Sequence, residues 1–257
     1  MCSSAVSASP RQTADKRFNS RRARVSARLE LAGAQVKRNT LGGTEGITVA
    51  TQSESHFERF CEANHVPCER IPVSTAPTAD YAIELDAHSV VCEIKQLDLG
   101  NRERHAWREV AEGRASAYFV KNRLRDKLKS VSGQLKNASS EGTPTVLVVF
   151  DNTPSESELD DSRVVQALYG RIGYPIVLSD DSEPVLGDPR FGGNRAFTPN
   201  QNTAVSALAV LEELDGNLRL RVYHNLHAAV PLDPQLLAHL PVEQKVLPGD
   251  TSIEVDA

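Results

Sequence analysis

The sequence contains no apolar run near the ~20 residues that cross a bilayer, and its first residues lack the apolar middle of a secretory signal. It has only four cysteines and no C-x-x-C pair, which argues against a disulfide framework and against a thiolate zinc site. Cys61 and His65 could share a helix face near Cys68, but the packing of small residues explains them more simply than zinc does. We therefore expect a reducing, cytoplasmic setting and a core of ordinary size without disulfides.

The net charge is small, but the charged residues are very unevenly distributed. The net charge is -5, yet residues 1–40 sum to +7, 41–100 to -7, 101–140 to +6 and 141–257 to -11. Two basic segments flanking an acidic one suit a protein that holds phosphates with one region and cations with another, although a solvated charged helix would give the same balance for 101–140. The Ser-, Ala- and Arg-rich start resembles both organelle transit peptides and basic arms, and we expect residues 1–45 to form a disordered basic tail.

The spacing of apolar residues predicts an α/β (α+β) fold with a mixed sheet. A core over 46–152 is followed by an extension over 153–257 that packs on it and continues the sheet. The predicted core elements are a helix over 54–64 opened by a Ser55–Glu58 capping box, strands over 66–73, 80–85 and 90–97, a helix with the apolar stripe Leu124, Leu128, Val131 and Leu135, and a fully buried strand over 145–150. The predicted elements of the extension are a helix over 162–169, a strand over 175–178, a loop-rich stretch over 179–202, and a hairpin of 204–211 with 218–223.

The alternation along the first hairpin predicts which side chains gather on each face. Tyr81, Ile83 and Leu85 on one strand and Val90, Cys92 and Ile94 on the next are apolar, so both sets should face the core. The other face then carries Asp80, Glu93 and Lys95, with cross-strand neighbours about 4.5–5.5 Å apart. Glu84 and Asp86 are more simply explained as rim and turn residues.

Two carboxylates on neighbouring strands repel each other at this separation, and a divalent cation bound to both would remove the repulsion. Mg²⁺ takes oxygen ligands, commonly one or two carboxylates with waters and a substrate phosphate, and Mn²⁺ can substitute for it. Lys95 could polarise the attacking water or stabilise negative charge that grows on phosphorus. The residues Asp80, Glu93 and Lys95 are therefore suited to phosphodiester hydrolysis.

These residues also resemble a known motif. Ala79-Asp80, a thirteen-residue interval and Glu93-Ile94-Lys95 at the end of an apolar strand are similar to the bipartite motif of the PD-(D/E)xK nuclease superfamily. Ala79 stands where the family usually has proline. The predicted order of helix, three strands, helix and strand matches its restriction-endonuclease-like αβββαβ core, and the helix around His56–Phe60 resembles a segment of archaeal Holliday-junction resolvases.

The resemblance implies further roles. Glu58 would be a third acid at the metal site, the carbonyl of Ile94 would also bind the metal, and Gln134 corresponds to a glutamine found on the second core helix in some branches. It implies a Mg²⁺-dependent nuclease that acts on nucleic acid, more plausibly DNA than RNA. It covers about residues 53–150.

Three hypotheses stay open at this point: a nuclease, a nucleic-acid-binding module on the same fold that has lost catalysis, and an interaction protein whose acidic second half binds a partner. The intact Asp80, Glu93 and Lys95 favour the first. The basic helix is either a phosphate track or a solvated face, and His224 and His227 fall on opposite strand faces, which argues against a shared metal. The residues proposed to bind nucleic acid are Lys121, Arg123, Arg125, Lys127 and Lys129.

Overall fold

The computed structural model describes residues 50–72, 78–115, 123–153, 159–174, 176–179, 182–187 and 190–246. The predicted basic tail and Lys121 lie outside these ranges. Within them, no helix combines the length and the apolar character needed to cross a membrane.

Helix α1 (Gln52–Ala63) begins one turn earlier than the capping box at Ser55 and Glu58 predicts. Thr51 is the N-cap: its hydroxyl accepts from the Glu54 N–H, and the Glu54 carboxylate accepts from the Thr51 N–H. The sequence repeats the S/T-x-x-E pattern at 51–54 and 55–58, and the earlier copy forms the cap. It supplies partners for N–H groups that the first turn of the helix leaves unpaired. The predicted position of the N-cap was therefore wrong by about one helical turn.

The first hairpin follows the predicted alternation. Strand β2 (Tyr81–Leu85) pairs antiparallel with β3 (His88–Leu97), with Tyr81 opposite Cys92. The turn is only two residues long, and both residues have the positive φ typical of a type I′ turn. Strand β1 (Cys68–Arg70) pairs antiparallel with β2 and is much shorter than the predicted 66–73.

Two helices separate the hairpin from the next strand. Helix α2 (Asn101–Ala111), which was not predicted, belongs to a compact unit distinct from the one that holds the sheet. Helix α3 (Leu124–Ser140) buries the predicted stripe of Leu124, Leu128, Val131 and Leu135, each worth about 1.5–3 kcal/mol of transfer free energy. Strand β4 (Thr145–Asp151) is buried along its whole length, as its continuous β-branched run predicts.

The second half of the chain continues the same sheet. Strands β9 (Ala207–Leu214) and β10 (Asn217–His224) form the predicted second hairpin across a turn with positive φ at Asp215 and Gly216. The predicted helix over 162–169 and the predicted strand over 175–178 are present as α4 and β6, whereas a 3₁₀ helix, strand β11 and three further short strands were not predicted. The bounds are α4 (Asp161–Tyr169), β5 (Ile172–Gly173), β6 (Ile176–Ser179), β7 (Ser182–Leu186), β8 (Arg190–Phe191), the 3₁₀ helix (Pro234–Leu237) and β11 (Val242–Lys245).

The fold is α+β with a mixed seven-stranded sheet in the order β1-β2-β3-β4-β9-β10-β11. Strand β3 runs parallel to β4, and β4 runs parallel to β9, while the two hairpins are antiparallel. One side of the sheet packs on α1 and includes Tyr81, Cys92 and Ile94; we call it the α1 face. The other packs on α3 and α4 and includes Leu97, Leu147 and Val149; we call it the α3 face. Helices therefore cover both faces at the sheet centre.

Candidate active site

The candidate site lies where β2 and β3 separate. Strand β2 begins at Tyr81, but β3 continues beyond the paired Cys92 to Leu97 with only β4 beside it. Asp80 stands at this fork: its N–H donates to the Cys92 carbonyl at 3.2 Å, and its Oδ2 accepts from the Ile94 N–H at 2.8 Å. The register of the hairpin sets Asp80 across from Glu93.

The backbone of Ile94 contributes to the same fork. In an extended strand the N–H and the C=O of one residue point to the same side. Because the Ile94 N–H is directed at Asp80, the Ile94 carbonyl also lies on the side of β3 that β2 has left. The carbonyl that the family resemblance implies as a ligand is therefore next to the Asp80 carboxylate.

Glu93 is completely buried on the α3 face, with 0% of its surface exposed. Its Oε1 is paired with the Lys95 ammonium, and its buried Oε2 makes no hydrogen bond of ordinary geometry with any described residue. Burial raises the pKa of Glu93, the nearby Asp80 charge raises it further, and hydrogen bonding by Lys95 and Gln134 lowers it. Alternation predicted that Glu93 shares a face with Asp80 and Lys95, but it did not predict that α3 covers this face.

Asp80 is in a similar electrostatic situation. Burial raises the pKa of Asp80, and the Glu54 charge adds to this, while the Ile94 N–H and the charges of Lys95 and Arg70 lower it. Burial thus raises the pKa of both neighbouring carboxyl groups. A cation at the fork would lower both pKa values.

The residues present fit a hard divalent cation with few protein ligands. No group of three or more His, Cys, Asp or Glu side chains within the described ranges is arranged to hold a metal. Mg²⁺ is commonly bound through one or two carboxylates plus substrate phosphates and waters. Asp80, Glu93 with its unpartnered Oε2, and the Ile94 carbonyl supply such a set.

Glu58 does not join this set. It accepts a hydrogen bond from the Tyr81 hydroxyl at 2.6 Å, and Tyr81 belongs to the α1 face, opposite Glu93. The acid of α1 whose charge reaches Asp80 is Glu54, which also forms an ion pair with Arg70 at 2.7 Å. Sequence reasoning missed Glu54, although the 51–54 capping pattern could have revealed it.

Lys95 and Gln134 both interact with the Glu93 carboxylate. Helix α3 runs alongside β3 in the opposite direction: Arg123 donates to the Asp98 carbonyl at one end, and Gln134 acts on Glu93 at the other. The helical rise from 123 to 134 and the strand rise from 98 back to 93 are both about 16 Å, so the two segments match in length. The Gln134 amide and the Lys95 ammonium together act on one buried carboxylate.

The basic residues of α3 have unequal roles. Arg123 is engaged with the Asp98 carbonyl, and Arg125 donates to the carbonyls of Ala167 and Gln166 in the last turn of α4, a stabilising position for a cation. Lys127 is half-buried, and burial lowers its pKa, as do the charges of Lys95 and Arg123, while Asp98 raises it. Lys129 is exposed. The helix is therefore not a uniform phosphate track.

The two other metal candidates gain no support. His65 is exposed and takes a left-handed conformation (φ 56°) at the end of α1, away from any three-ligand group within the described residues. His224 is buried, and its Nε2 is hydrogen bonded to the Gln244 side chain at 2.9 Å.

Comparisons of this chain with protein-family models, with curated proteins and with solved structures found no match.

Proposed function

We propose that this protein is a divalent-metal-dependent nuclease that hydrolyses phosphodiester bonds of nucleic acid, with DNA the more plausible substrate. The observation that carries the proposal is the fork between β2 and β3. There Asp80 accepts a hydrogen bond from the Ile94 N–H, one buried oxygen of Glu93 has no hydrogen bond of ordinary geometry among the described residues, and Lys95 pairs with the other oxygen. A cytoplasmic setting is part of the proposal and rests on the cysteine usage.

The arrangement of elements supports the proposal. Apart from helix α2, which is inserted between β3 and α3, the order α1, β1, β2, β3, α3 and β4 is the one that the sequence resemblance implies. Asp80 directly precedes β2, and Glu93 and Lys95 lie on β3, so the motif residues meet at the point where the two strands separate.

Each residue has a distinct role in this proposal. Asp80, Glu93 and the Ile94 carbonyl would hold Mg²⁺, which when bound supplies Lewis acidity at the phosphate and acidifies water. Lys95 would donate to a phosphate oxygen and offset the negative charge that develops on it. Gln134 keeps Glu93 oriented through its amide.

A cleavage assay tests the proposal. Labelled single-stranded, duplex and branched DNA and RNA are incubated with the protein in Mg²⁺, Mn²⁺ or EDTA. We expect cleavage of at least one substrate in the presence of metal, and none in EDTA. Glu93→Gln should abolish cleavage, because it removes the charge but keeps the volume.

Glu84→Gln is the matched control. Glu84 lies on β2 and is exposed, and its position alternates with the buried residues of that strand. This variant should cleave at the wild-type rate. Metal-independent cleavage, or a Glu93→Gln protein as active as wild type, would contradict the proposal, and metal-independent binding without cleavage would favour the inactive binding module instead.

A further inference from the structure

The α1 face carries a second chemical feature that the proposed site does not use. Cys61 and Cys68 both line an open cavity of about 430 Å³, together with Glu58 and Arg70. Cys61 is buried in the last turn of α1, and Cys68 is half-buried at the start of β1. Both are free thiols.

The turn between α1 and β1 explains why the two thiols meet. The Val66 N–H donates to the Cys61 carbonyl at 2.9 Å, which folds the chain back at the helix end. Cys68 is then paired opposite Ile83, and antiparallel partners point to the same face of a sheet. Because Ile83 belongs to the α1 face, Cys68 points towards α1, where Cys61 packs against the sheet.

The surroundings of the two thiols shift their pKa values in opposite directions. The pKa of Cys61 is raised by hydrogen bonding to Cys68 and by burial. The pKa of Cys68 is lowered by hydrogen bonding from Cys61, although burial and the Glu58 charge oppose this. Cys68 is also the more exposed of the two, so a dissolved oxidant reaches its sulfur more readily than that of Cys61.

Cys92 provides an internal comparison. It lies on the same face, but in the middle of β3 between β2 and β4, and it is buried to 1% exposure. Burial raises the pKa of Cys92. A thiol in this position is inert to dissolved oxidants.

We propose that Cys61 and Cys68 form a reversible disulfide when the protein meets hydrogen peroxide. The Cys68 thiolate attacks one peroxide oxygen, the O–O bond breaks, and the departing hydroxide takes up a proton to become water, which leaves a sulfenic acid on Cys68. The Cys61 sulfur then attacks the Cys68 sulfur, the S–O bond breaks, and the departing hydroxide combines with the Cys61 proton as a second water. Two electrons pass from the two thiols to the peroxide.

The position of the two cysteines between trypsin sites makes the test direct. Cleavage after Arg59 and Arg70 releases peptide 60–70, which contains both Cys61 and Cys68, whereas Cys92 is in peptide 71–95. The protein used in the test carries Cys2→Ser, so that only Cys61, Cys68 and Cys92 can form a disulfide. After peroxide, alkylation and digestion, peptide 60–70 should be about 2 Da lighter than its reduced form and carry no alkyl group.

Variants identify the roles of the individual cysteines. Cys92→Ser should form the disulfide as the parent does, and dithiothreitol should reverse it. Cys61→Ser should leave a sulfenic acid on Cys68 that dimedone traps, whereas Cys68→Ser should leave Cys61 reduced. Peptide 60–70 that stays alkylated on both cysteines after peroxide, or a link from either of them to Cys92, would overturn the proposal. The outcome does not depend on nuclease activity.

Discussion

The Asp80 carboxylate accepts a hydrogen bond from the backbone N–H of Ile94, with 2.8 Å between Oδ2 and N. The ladder of backbone hydrogen bonds between β2 and β3 ends at the pair Tyr81 and Cys92. The Asp80 carboxylate therefore supplies the partner that the Ile94 N–H would otherwise lack. Asp80 therefore has a structural task as well as a proposed metal-binding one. The two tasks respond differently to substitution.

Asp80→Asn and Asp80→Ala separate these two tasks. Asparagine keeps an oxygen acceptor for Ile94 and removes a buried charge, so this variant should be at least as stable as wild type without metal. Alanine leaves a half-buried N–H without a partner, so it should be less stable than the asparagine variant by about 1–2 kcal/mol. Both should lose Mn²⁺ binding and cleavage. Urea unfolding and calorimetric Mn²⁺ titration measure these effects, and equal stability of the two variants would refute the structural task.

Lys95→Ala should reduce cleavage strongly while metal affinity is kept or rises, because a cation that repels the metal is removed. It should also destabilise the protein, since Glu93 is fully buried and loses its ion-pair partner. We expect a cost of about 1–3 kcal/mol near neutral pH, less than for a fully buried pair because Lys95 is partly exposed.

The pH dependence of this cost follows from the raised pKa of Glu93. A carboxyl whose folded pKa exceeds its unfolded value costs no stability below the unfolded pKa, and the cost grows as the pH rises from the unfolded to the folded pKa and stays constant above it. The loss in Lys95→Ala should therefore shrink as the pH falls towards the unfolded pKa of glutamic acid. In a Glu93→Gln background, Lys95→Ala should cost little at any pH, as a double-mutant cycle would reveal. A loss that does not change with pH would exclude the ion pair as its cause.

Glu54→Gln and Glu58→Gln test which acid of α1 serves the site. The Glu54 charge acts on Asp80, while Glu58 is hydrogen bonded to Tyr81 on the α1 face. We expect Glu54→Gln to change Mn²⁺ affinity and cleavage, and Glu58→Gln to leave both nearly unchanged. The reverse result would support the role that the sequence resemblance implies for Glu58. Thermal unfolding checks that the Glu54 variant keeps its helix, because this side chain also caps α1.

The alternation along β2 and β3 was enough to predict their faces because Tyr81, Ile83 and Leu85 must be buried together. The same rule failed for the extent of β3: His88 and Ser89 are exposed and polar, so no pattern distinguishes them from a turn. The stripe on α3 was equally readable, since four apolar residues recur at helical spacing.

The burial of Glu93 could not be read from the chain. Alternation predicts which residues share a face, but the cover that α3 provides depends on a contact between distant segments. Helix α2 was missed because its sequence is mostly polar, and β11 because four residues in a parallel edge pair carry no alternation signal. To choose between Glu54 and Glu58, one must know which copy of the repeated S/T-x-x-E pattern caps α1.

Lys127 and Lys129 offer a matched pair for testing nucleic-acid binding. They are separated by about 200° around α3, so they face different surroundings. Lys127 lies one turn from Arg123, which contacts Asp98, and its charge interacts with that of Lys95 at the site. Lys129 is exposed and has no such neighbour among the described contacts.

Lys127→Ala should weaken binding of a short DNA duplex and reduce the slope of log affinity against log salt by about one, because one phosphate contact is lost. Lys129→Ala should change both quantities much less. Binding is measured by fluorescence anisotropy at several salt concentrations in EDTA, which prevents cleavage and removes the metal from the comparison. If the two variants weaken binding equally, the helix attracts nucleic acid only through its overall charge; if neither does, α3 is a solvated face and any phosphate contacts lie elsewhere.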